Sequence, residues 1–415
     1  MIGSSPAGLS IGIVGAGPGG LTLALACRHA GIEDVTVYEQ TETLEPVGAG
    51  VQLSPNASRV LLTLGLRDAL EAAAFHPQAV HFRAAQSGYL IALRPLGRVS
   101  RERYGAPYWH IHRGDLNVIL QERAHGFRIA LRTGHALTGL QQDDAGVDLT
   151  FNTTVGGTTI TARHDVVVGC DGIRSTVRSA AFGDSRPRFT GHLAWRGLVP
   201  IERLPTNLIE PVVTVWLGPH RHFVNYFVRG GDLVNFVGVI ESEATDGTAW
   251  SGESWREPGD PLRLARDFAD WHPLVRRIIE AADDVHRWAL HDHPPLPAWH
   301  SGRVALLGDA CHPMLPYLAQ GAAMAIEDAW VLARMLDQWD EDPVAALGEY
   351  SRYRQPRATR VQAASREQGT EFHRTDRWQI LKRNLTLGFG SRYLPELAMQ
   401  RFDWLHGYDC VKGFH

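Results

Sequence analysis

The 415-residue chain has little cysteine, little methionine and no excess of charge of either sign. Its four cysteines, Cys27, Cys170, Cys311 and Cys410, are scattered and form no CxxC pair. That spacing excludes a disulfide framework and a zinc-finger pattern, so no metal is expected and a reducing compartment suits the chain. Lys and Arg number 41 against 45 Asp and Glu, a net charge of −4 that gives no footprint for nucleic acid or an anionic membrane. No apolar run approaches the roughly 20 residues a bilayer requires, and the short run Ile11 to Val14 is broken at once by glycines. Neither a membrane span nor a secretory signal is expected, and the cytoplasm is the expected location. Internal repeats and low-complexity segments are also missing. At 44% hydrophobic and 21% charged residues, the composition is that of a globular protein long enough for two or three structural units.

What is present begins at the N-terminus. Residues 9–14 are predicted as a buried strand, 15–20 as a glycine turn, 21–30 as a helix closed by Gly31, and 34–39 as a second strand, which together make a βαβ unit. The turn, Gly15-Ala16-Gly17-Pro18-Gly19-Gly20, matches GxGxxG in that context. Gly15 permits the tight bend, Gly17 lets backbone approach a pyrophosphate, and Gly20 lets helix and strand pack closely. The helix start beyond it offers free N–H groups and partial positive charge to an anion. Glu39 follows Gly20 by 19 residues, where a carboxylate accepts hydrogen bonds from an adenosine ribose and repels a 2′-phosphate. The turn implies a dinucleotide but does not choose between FAD and NAD.

Further along, residues 56–74 have helical spacing. Runs at 212–216, 223–229 and 233–240 are rich in β-branched and aromatic residues and predict an antiparallel meander. A polar stretch at 241–260 is expected to be a surface loop, and 261–282 a helix. The buried-strand signature returns at 303–307, before a helix at 321–336, so the first domain should be discontinuous. The basic helical stretch 350–383 is expected to present a solvated face. The fold class is α/β, with a Rossmann-like discontinuous domain, an inserted mixed or antiparallel β-sheet domain and a helical C-terminus.

Three distant signals extend the glycine turn: the strand ending in Asp171-Gly172, the strand ending in Gly308-Asp309 before Ala310-Cys311-His312-Pro313, and the loop Gly48-Ala49-Gly50-Val51-Gln52-Leu53-Ser54-Pro55-Asn56. His112-Arg113-Gly114-Asp115-Leu116 adds an arginine at a helix start. In this order the motifs resemble the group A, single-component FAD-dependent aromatic hydroxylases, a family that includes salicylate, 3-hydroxybenzoate and 6-hydroxynicotinate hydroxylases. The resemblance runs from Ile11 to about Leu336. It implies that NADH or NADPH docks transiently and reduces FAD, that molecular oxygen (O2) gives a C4a-hydroperoxide, and that this hydroxylates a small phenolic aromatic acid. The missing second GxGxxG agrees with transient nicotinamide docking.

The resemblance further implies cofactor roles for Gly15, Gly17, Gly20, Glu39, Gln40, Val51, Arg113, Leu137 (by its backbone), Asp171, Gly308 and Asp309. The helix beginning at Gly321 and Ala322 would aim its start at the flavin. The FAD-binding domain would comprise 1–75, 105–183 and 293–345, the substrate domain 76–104 and 184–292, and the C-terminal helical segment 346–415. Relatives often form dimers, so a homodimer is expected.

On the substrate side, His222 and Tyr226 lie four apart on one predicted strand and so on one face. A histidine can take the phenol proton, and a tyrosine can hydrogen-bond a carboxylate or hydroxyl. Alone, such a pair is more often just satisfied core or edge residues; the resemblance makes it substrate-contacting. Gln320 is a substrate or catalytic candidate whose alternative is a polar helix-start residue, and His312 is expected to be structural. Gln52, Val213 and Tyr317 complete the candidate pocket. The hydroxynicotinate enzymes carry His, Cys and His at these three positions, which favours a hydroxybenzoate over a pyridinol: para-hydroxylation of a meta-hydroxybenzoate first, decarboxylating attack on an ortho-hydroxybenzoate second. A flavin-dependent oxygenase of a larger natural product and a non-catalytic FAD-binding protein are the remaining alternatives.

Overall fold

The glycine corner folds as its pattern requires. In a computed structural model describing residues 8–44, 49–154, 156–183, 186–242 and 258–414, strand Ser10–Val14 runs into helix Pro18–His29 and then strand Asp34–Tyr38, parallel to the first. The helix begins three residues before the expected Leu21, because Pro18 has the backbone angle of a first helical residue and no N–H to waste there. Gly15 has a φ of +108°, and a Cβ on it would stand 2.5 Å from the Cys170 carbonyl oxygen, so neither conformation nor space admits another residue.

These strands belong to a six-stranded sheet ordered His300–Ser301, Val304–Leu306, Val166–Gly169, Ser10–Val14, Asp34–Tyr38, Ala130–Arg132. All its pairings are parallel except that of the edge hairpin. Both faces are covered, which is why Ile11, Ile13, Val166, Val167 and Val168 are all fully buried. Chain from both ends of the β-rich middle contributes to this sheet, so the unit is discontinuous.

A second, seven-stranded sheet carries Val285–Asp292, Arg188–Pro200, Leu233–Glu241, Arg221–Val228, Val213–Gly218, Ala79–Ala84 and Leu90–Pro95 in that order. The predicted meander is its centre, Val213–Gly218 to Arg221–Val228 to Leu233–Glu241, antiparallel throughout. The strand Ala79–Ala84 joins it in parallel. One face packs on helices Pro261–Asp267 and Pro273–Glu280 through Trp195, Phe223, Phe236 and Phe268, and the other packs on Tyr108, Leu315, Tyr317 and Phe372 through Val213, Val215 and Tyr226. Among the described residues no helix is long and apolar enough to cross a membrane.

Several predicted elements divide. Residues 56–74 form two helices, Pro55–Thr63 and Arg67–Ala73, because Gly65 takes a left-handed φ of +78° and ends the first. Residues 261–282 divide at Pro273, which cannot continue a helix and instead opens the second one, capped by the His272 ring. Of the expected loop 241–260, Glu241 ends a strand and 243–257 lie outside the described residues, as does Gly48 of the GAGVQLSPN stretch.

The basic stretch becomes helices Pro343–Phe372 and Arg377–Tyr393, and its expected solvated face is wrong in one essential place. Arg354 is completely buried between Glu327 (2.7 Å) and Asp328 (2.7 Å) of helix Gly321–Gln338, both also completely buried. Arg357 adds a second contact to Glu327, and the His312 ring approaches Asp328 at 2.5 Å. Burial alone would raise the Asp328 pKa; His312 and Arg354 outweigh it and hold the carboxylate ionised. Removing one partner of such a cluster strands the others without compensation. Arg354→Met and Asp328→Asn should each cost about 3–5 kcal/mol in chemical denaturation, more than either carboxylate's distance from the surface alone predicts.

Candidate active site

A cavity of about 440 Å³ opens between the glycine corner, the start of helix Gly321–Gln338 and the inner face of the seven-stranded sheet. Gly17, Val51, Arg113, Gly308, Asp309, Gly321 and Ala322 line it, each a position the sequence assigned to cofactor. A Cβ on Gly17 or Gly172 would meet nothing within 4 Å, so backbone is laid open there. Gly20 is the opposite case. Its Cβ would fall 2.0 Å from the Gly15 carbonyl oxygen, so it is a packing glycine.

Helix Gly321–Gln338 starts without a side-chain cap, so the unpaired N–H groups and partial positive charge of its first turn face the cavity. Asp309 is exposed and lines the cavity, where partial loss of water raises its pKa against the pull of His312 and Arg113. Glu39 sits beside the turn, accepting from the Ala16 N–H at 3.0 Å and from the Thr41 N–H and hydroxyl, also at 3.0 Å. Leu137 is half-buried on strand His135–Gln142, whose first N–H donates to the Glu39 carbonyl at 2.8 Å. Gln40 is exposed and stands off the cavity.

Asp171 is placed differently from expectation. Its carboxylate turns back on helix Thr176–Phe182, accepting from the Ser175 hydroxyl at 2.5 Å and the Val177 N–H at 3.1 Å, and leaves the Gly172 backbone to face the cavity. An acid at a helix start is stabilised by the unpaired amides, which explains the inward turn.

At the other end the wall is the sheet. His222 and Tyr226 do share a face, together with Val213, Val215, Val224 and Val237. The Tyr226 hydroxyl donates to the Gly50 carbonyl at 2.7 Å, while the Asn235 side chain accepts from the Gly50 N–H at 2.7 Å. A Cβ on Gly50 would lie 2.5 Å from the Tyr226 ring. Tyr226 thus clasps the cofactor-side loop, and its proton is not free for substrate as expected. Gln52 and Tyr317 line the cavity, Gln52 accepting from the Tyr108 hydroxyl at 2.8 Å.

Gln320 does not reach the cavity. Its amide donates to the Ser54 hydroxyl (3.0 Å) and accepts from Asn56 (3.1 Å), which also donates to Glu327 (2.7 Å). It is not the expected substrate contact but the polar helix-start residue of the alternative, standing at the N-cap position with its side chain braced against Ser54 and Asn56 instead of capping the helix.

Two groups that sequence reasoning missed stand in or against the cavity. Arg94, on edge strand Leu90–Pro95, lines it, lies over the Phe402 ring at 4.2 Å, and has a buried Nε with no hydrogen-bond partner. No carboxylate among the described residues pairs with it, and burial lowers its pKa. A lone arginine in an LIALRP strand carries no pattern that sequence alone could read. The other is His373, just past helix Pro343–Phe372, whose Nε2 lies 2.7 Å from His222 Nδ1. Burial pushes the His222 pKa well below 6.5 and that of His373 down to about 4, so both rings are neutral.

Residues 8–365 match the FAD binding domain family. The chain is 42% identical over 401 residues to 3-amino-4-hydroxybenzoate 2-monooxygenase of Streptomyces platensis, covering 97% of this chain and 96% of the relative. It is 35% identical over 406 residues to 3-hydroxybenzoate 6-hydroxylase 1 of Aquipseudomonas alcaligenes, covering 97% and 98%. A solved salicylate hydroxylase substrate complex shares the fold at a TM-score of 0.79 and 27% identity, over 98% and 97% of the two chains.

The open backbone at Gly17 and Gly172, the uncapped helix start and the cavity-facing Asp309 carboxylate fit FAD, whose phosphates and ring system need such surfaces. The two glycines of the turn should therefore separate. Gly17 has ordinary extended backbone (φ −74°, ψ 178°), so Gly17→Val should fold normally but purify largely without flavin. Gly20→Val should fail to fold or lose most of its stability, as circular dichroism and thermal melts would show.

Proposed function

The chain belongs to the FAD binding domain family and is an FAD-dependent aromatic monooxygenase, and we propose that it hydroxylates a benzoate whose ring carries a donating hydroxyl or amine. An amino-hydroxybenzoate is the first choice and a simple hydroxybenzoate the second. The observation that carries this reading is Arg94, an unpaired cation set into a wall otherwise dominated by valines and aromatic rings. The guanidinium is half-buried, its Nε is sealed from water without a hydrogen bond, and its one charge-stabilising neighbour among the described residues is the Phe402 ring, so a substrate carboxylate would compensate it through two parallel N–H···O bonds. The greater identity to the amino-hydroxybenzoate enzyme than to the 3-hydroxybenzoate enzyme favours a ring amine.

FAD, reduced by NADH or NADPH, supplies the activated oxygen when bound. The chain's own residues do the rest. Arg94 holds the acid, the Val213, Val215, Val224 and Val237 wall excludes water, and His222 offers Nε2 to the proton of the ring substituent as electron density moves into the ring. Gly17, Glu39, Asp309 and the helix start at Gly321 would hold the cofactor.

We infer, too, that two copies pair. Along helix Arg377–Tyr393, Trp378, Leu381, Leu385, Phe389 and Tyr393 recur at spacings of three or four and are exposed, Trp378 by 78%. An apolar stripe of that length on one helix is typical of an interface. Leu385→Glu with Phe389→Glu should shift light-scattering mass from dimer to monomer; a wild type already monomeric at working concentration would refute pairing.

For the substrate, NADH and NADPH consumption with 3-amino-4-hydroxybenzoate, 3-hydroxybenzoate and 2-hydroxybenzoate should be stimulated with oxygenated product formed. Arg94→Ala should raise KM for the preferred acid by about a hundredfold, with far less effect on its carboxamide analogue. Equal loss on acid and amide would mean that Arg94 does not hold the carboxylate.

A further inference from the structure

The cavity wall is not sealed behind His222. Behind its Nδ1, at 2.7 Å, stands His373 Nε2, and His373 Nδ1 lies 3.4 Å from a Glu241 carboxylate oxygen. The other Glu241 oxygen is 2.6 Å from the ring of His220, which is exposed. His222 and His373 are 3% and 4% exposed, whereas Glu241 reaches a second, open hollow on the outer surface, shared with His373 and His220. A line of titratable groups therefore leads from the closed cavity to bulk water. Resting on the functional reading above, we propose that His222, His373 and Glu241 form a proton path, by which the proton released from the ring hydroxyl or amine leaves the cavity.

The bonding is of the right kind at each link. With both rings neutral, each imidazole has one donor and one acceptor nitrogen. If His222 Nδ1–H donates to His373 Nε2, then His222 Nε2 is left bare toward the cavity and His373 Nδ1–H points at Glu241. The substrate O–H or N–H bond breaks and its proton passes to His222 Nε2, while its electron pair stays on the ring substituent. The His222 Nδ1 proton moves to His373 Nε2, the His373 Nδ1 proton to Glu241, and Glu241 yields one proton to water or His220. One proton enters, one leaves, and both rings end neutral with their tautomers exchanged. When the product's ring substituent takes back a proton, the line runs in reverse: one proton enters from water at Glu241, one leaves His222 Nε2 for the substituent, and the starting tautomers return.

The last link is long and off-line for a hydrogen bond, since His373 Nδ1 is buried without a strict partner. The proposed path therefore requires the half-buried Glu241 carboxylate to turn toward the His373 ring. His192 and Tyr317 flank the His373 ring at 5.2 and 6.0 Å between centroids. The nearby Arg374 is occupied by Glu371. Among the described residues, Arg188 and Arg366 of the same hollow are engaged with Asp292, and the groups that can compete for Glu241 when protonated are His220 and His192. Two histidines in contact in an otherwise apolar wall are a poor packing choice and a good conductor.

The test uses FAD-loaded, oxidised enzyme mixed in a stopped-flow pH jump with 3-amino-4-hydroxybenzoate or 3-hydroxybenzoate, following phenolate absorbance. His373→Phe should slow ionisation of the bound phenol by roughly tenfold or more, while changing ligand affinity less than about threefold, and added imidazole should restore part of the rate. Glu241→Gln, at the surface end and safe for folding, should slow it by a smaller factor and remains informative if His373→Phe loses FAD. Ionisation at the wild-type rate in Glu241→Gln, or in a His373→Phe protein that binds FAD and ligand normally, overturns the path and leaves the function standing. If neither acid binds the wild type, the functional reading falls and the path falls with it.

Discussion

The cluster formed by Glu327, Asp328, Arg354, Arg357 and His312 is what fixes helix Gly321–Gln338 in the molecule. Two adjacent carboxylates with no exposure would stand without ionic partners if the two arginines were missing, and the arginines come from the long C-terminal helix rather than from either sheet. On the helix's other flank, Asn56 links Glu327 to the Ser54–Gln320 contact. The start of the helix is thereby gripped on two sides, and the orientation of its unpaired amides toward the cavity is inherited from ion pairs one to two turns further along. Burying charge is a doubtful source of stability, but it specifies geometry strictly, since a displaced partner leaves an uncompensated ion. A site that must present an electropositive helix end at a fixed angle has use for that strictness.

The cavity divides along the same lines as the chain. Its cofactor side is built of glycine backbone, helix ends and the Asp309 carboxylate, from segments close to strand ends of the parallel sheet, as in other open α/β sheets where ligands lie at the carboxyl ends of strands. Its substrate side is built of side chains on one face of an antiparallel sheet, where alternation presents every second residue to the same space. The first kind of surface tolerates almost no substitution; the second changes character with each residue on it.

That contrast also governs what could be read from sequence. The glycine corner, Glu39, Gly308-Asp309 and the helix at Gly321 were legible because their chemistry is local: strand, turn and helix follow within a dozen residues. The shared face of His222 and Tyr226 was legible for the same reason, by period-two alternation. Contacts across long sequence separations were not. Arg94 meets Phe402, and His222 meets His373 more than a hundred residues away, with no spacing rule to announce either. Gln320 and Asp171 were read as facing ligand when each is turned toward protein, because a polar side chain beside a site has two sides to choose from and pattern does not say which. The helices expected at 56–74 and 261–282 ran too long where a single glycine or proline outweighed amphipathic spacing. The arginine-rich stretch looked solvated because its counter-charges lie on another helix.

The clasp of Tyr226 and Asn235 on Gly50 joins the cofactor-side loop to the sheet through protein–protein hydrogen bonds. Neighbouring positions on the same sheet, Val213 and Val215 among them, carry no such duty. A lineage could therefore retune which ring it accepts by exchanging those valines, one methyl or hydroxyl at a time, while the flavin's bed stays undisturbed. The fold separates the freedom to change diet from the obligation to keep its catalyst.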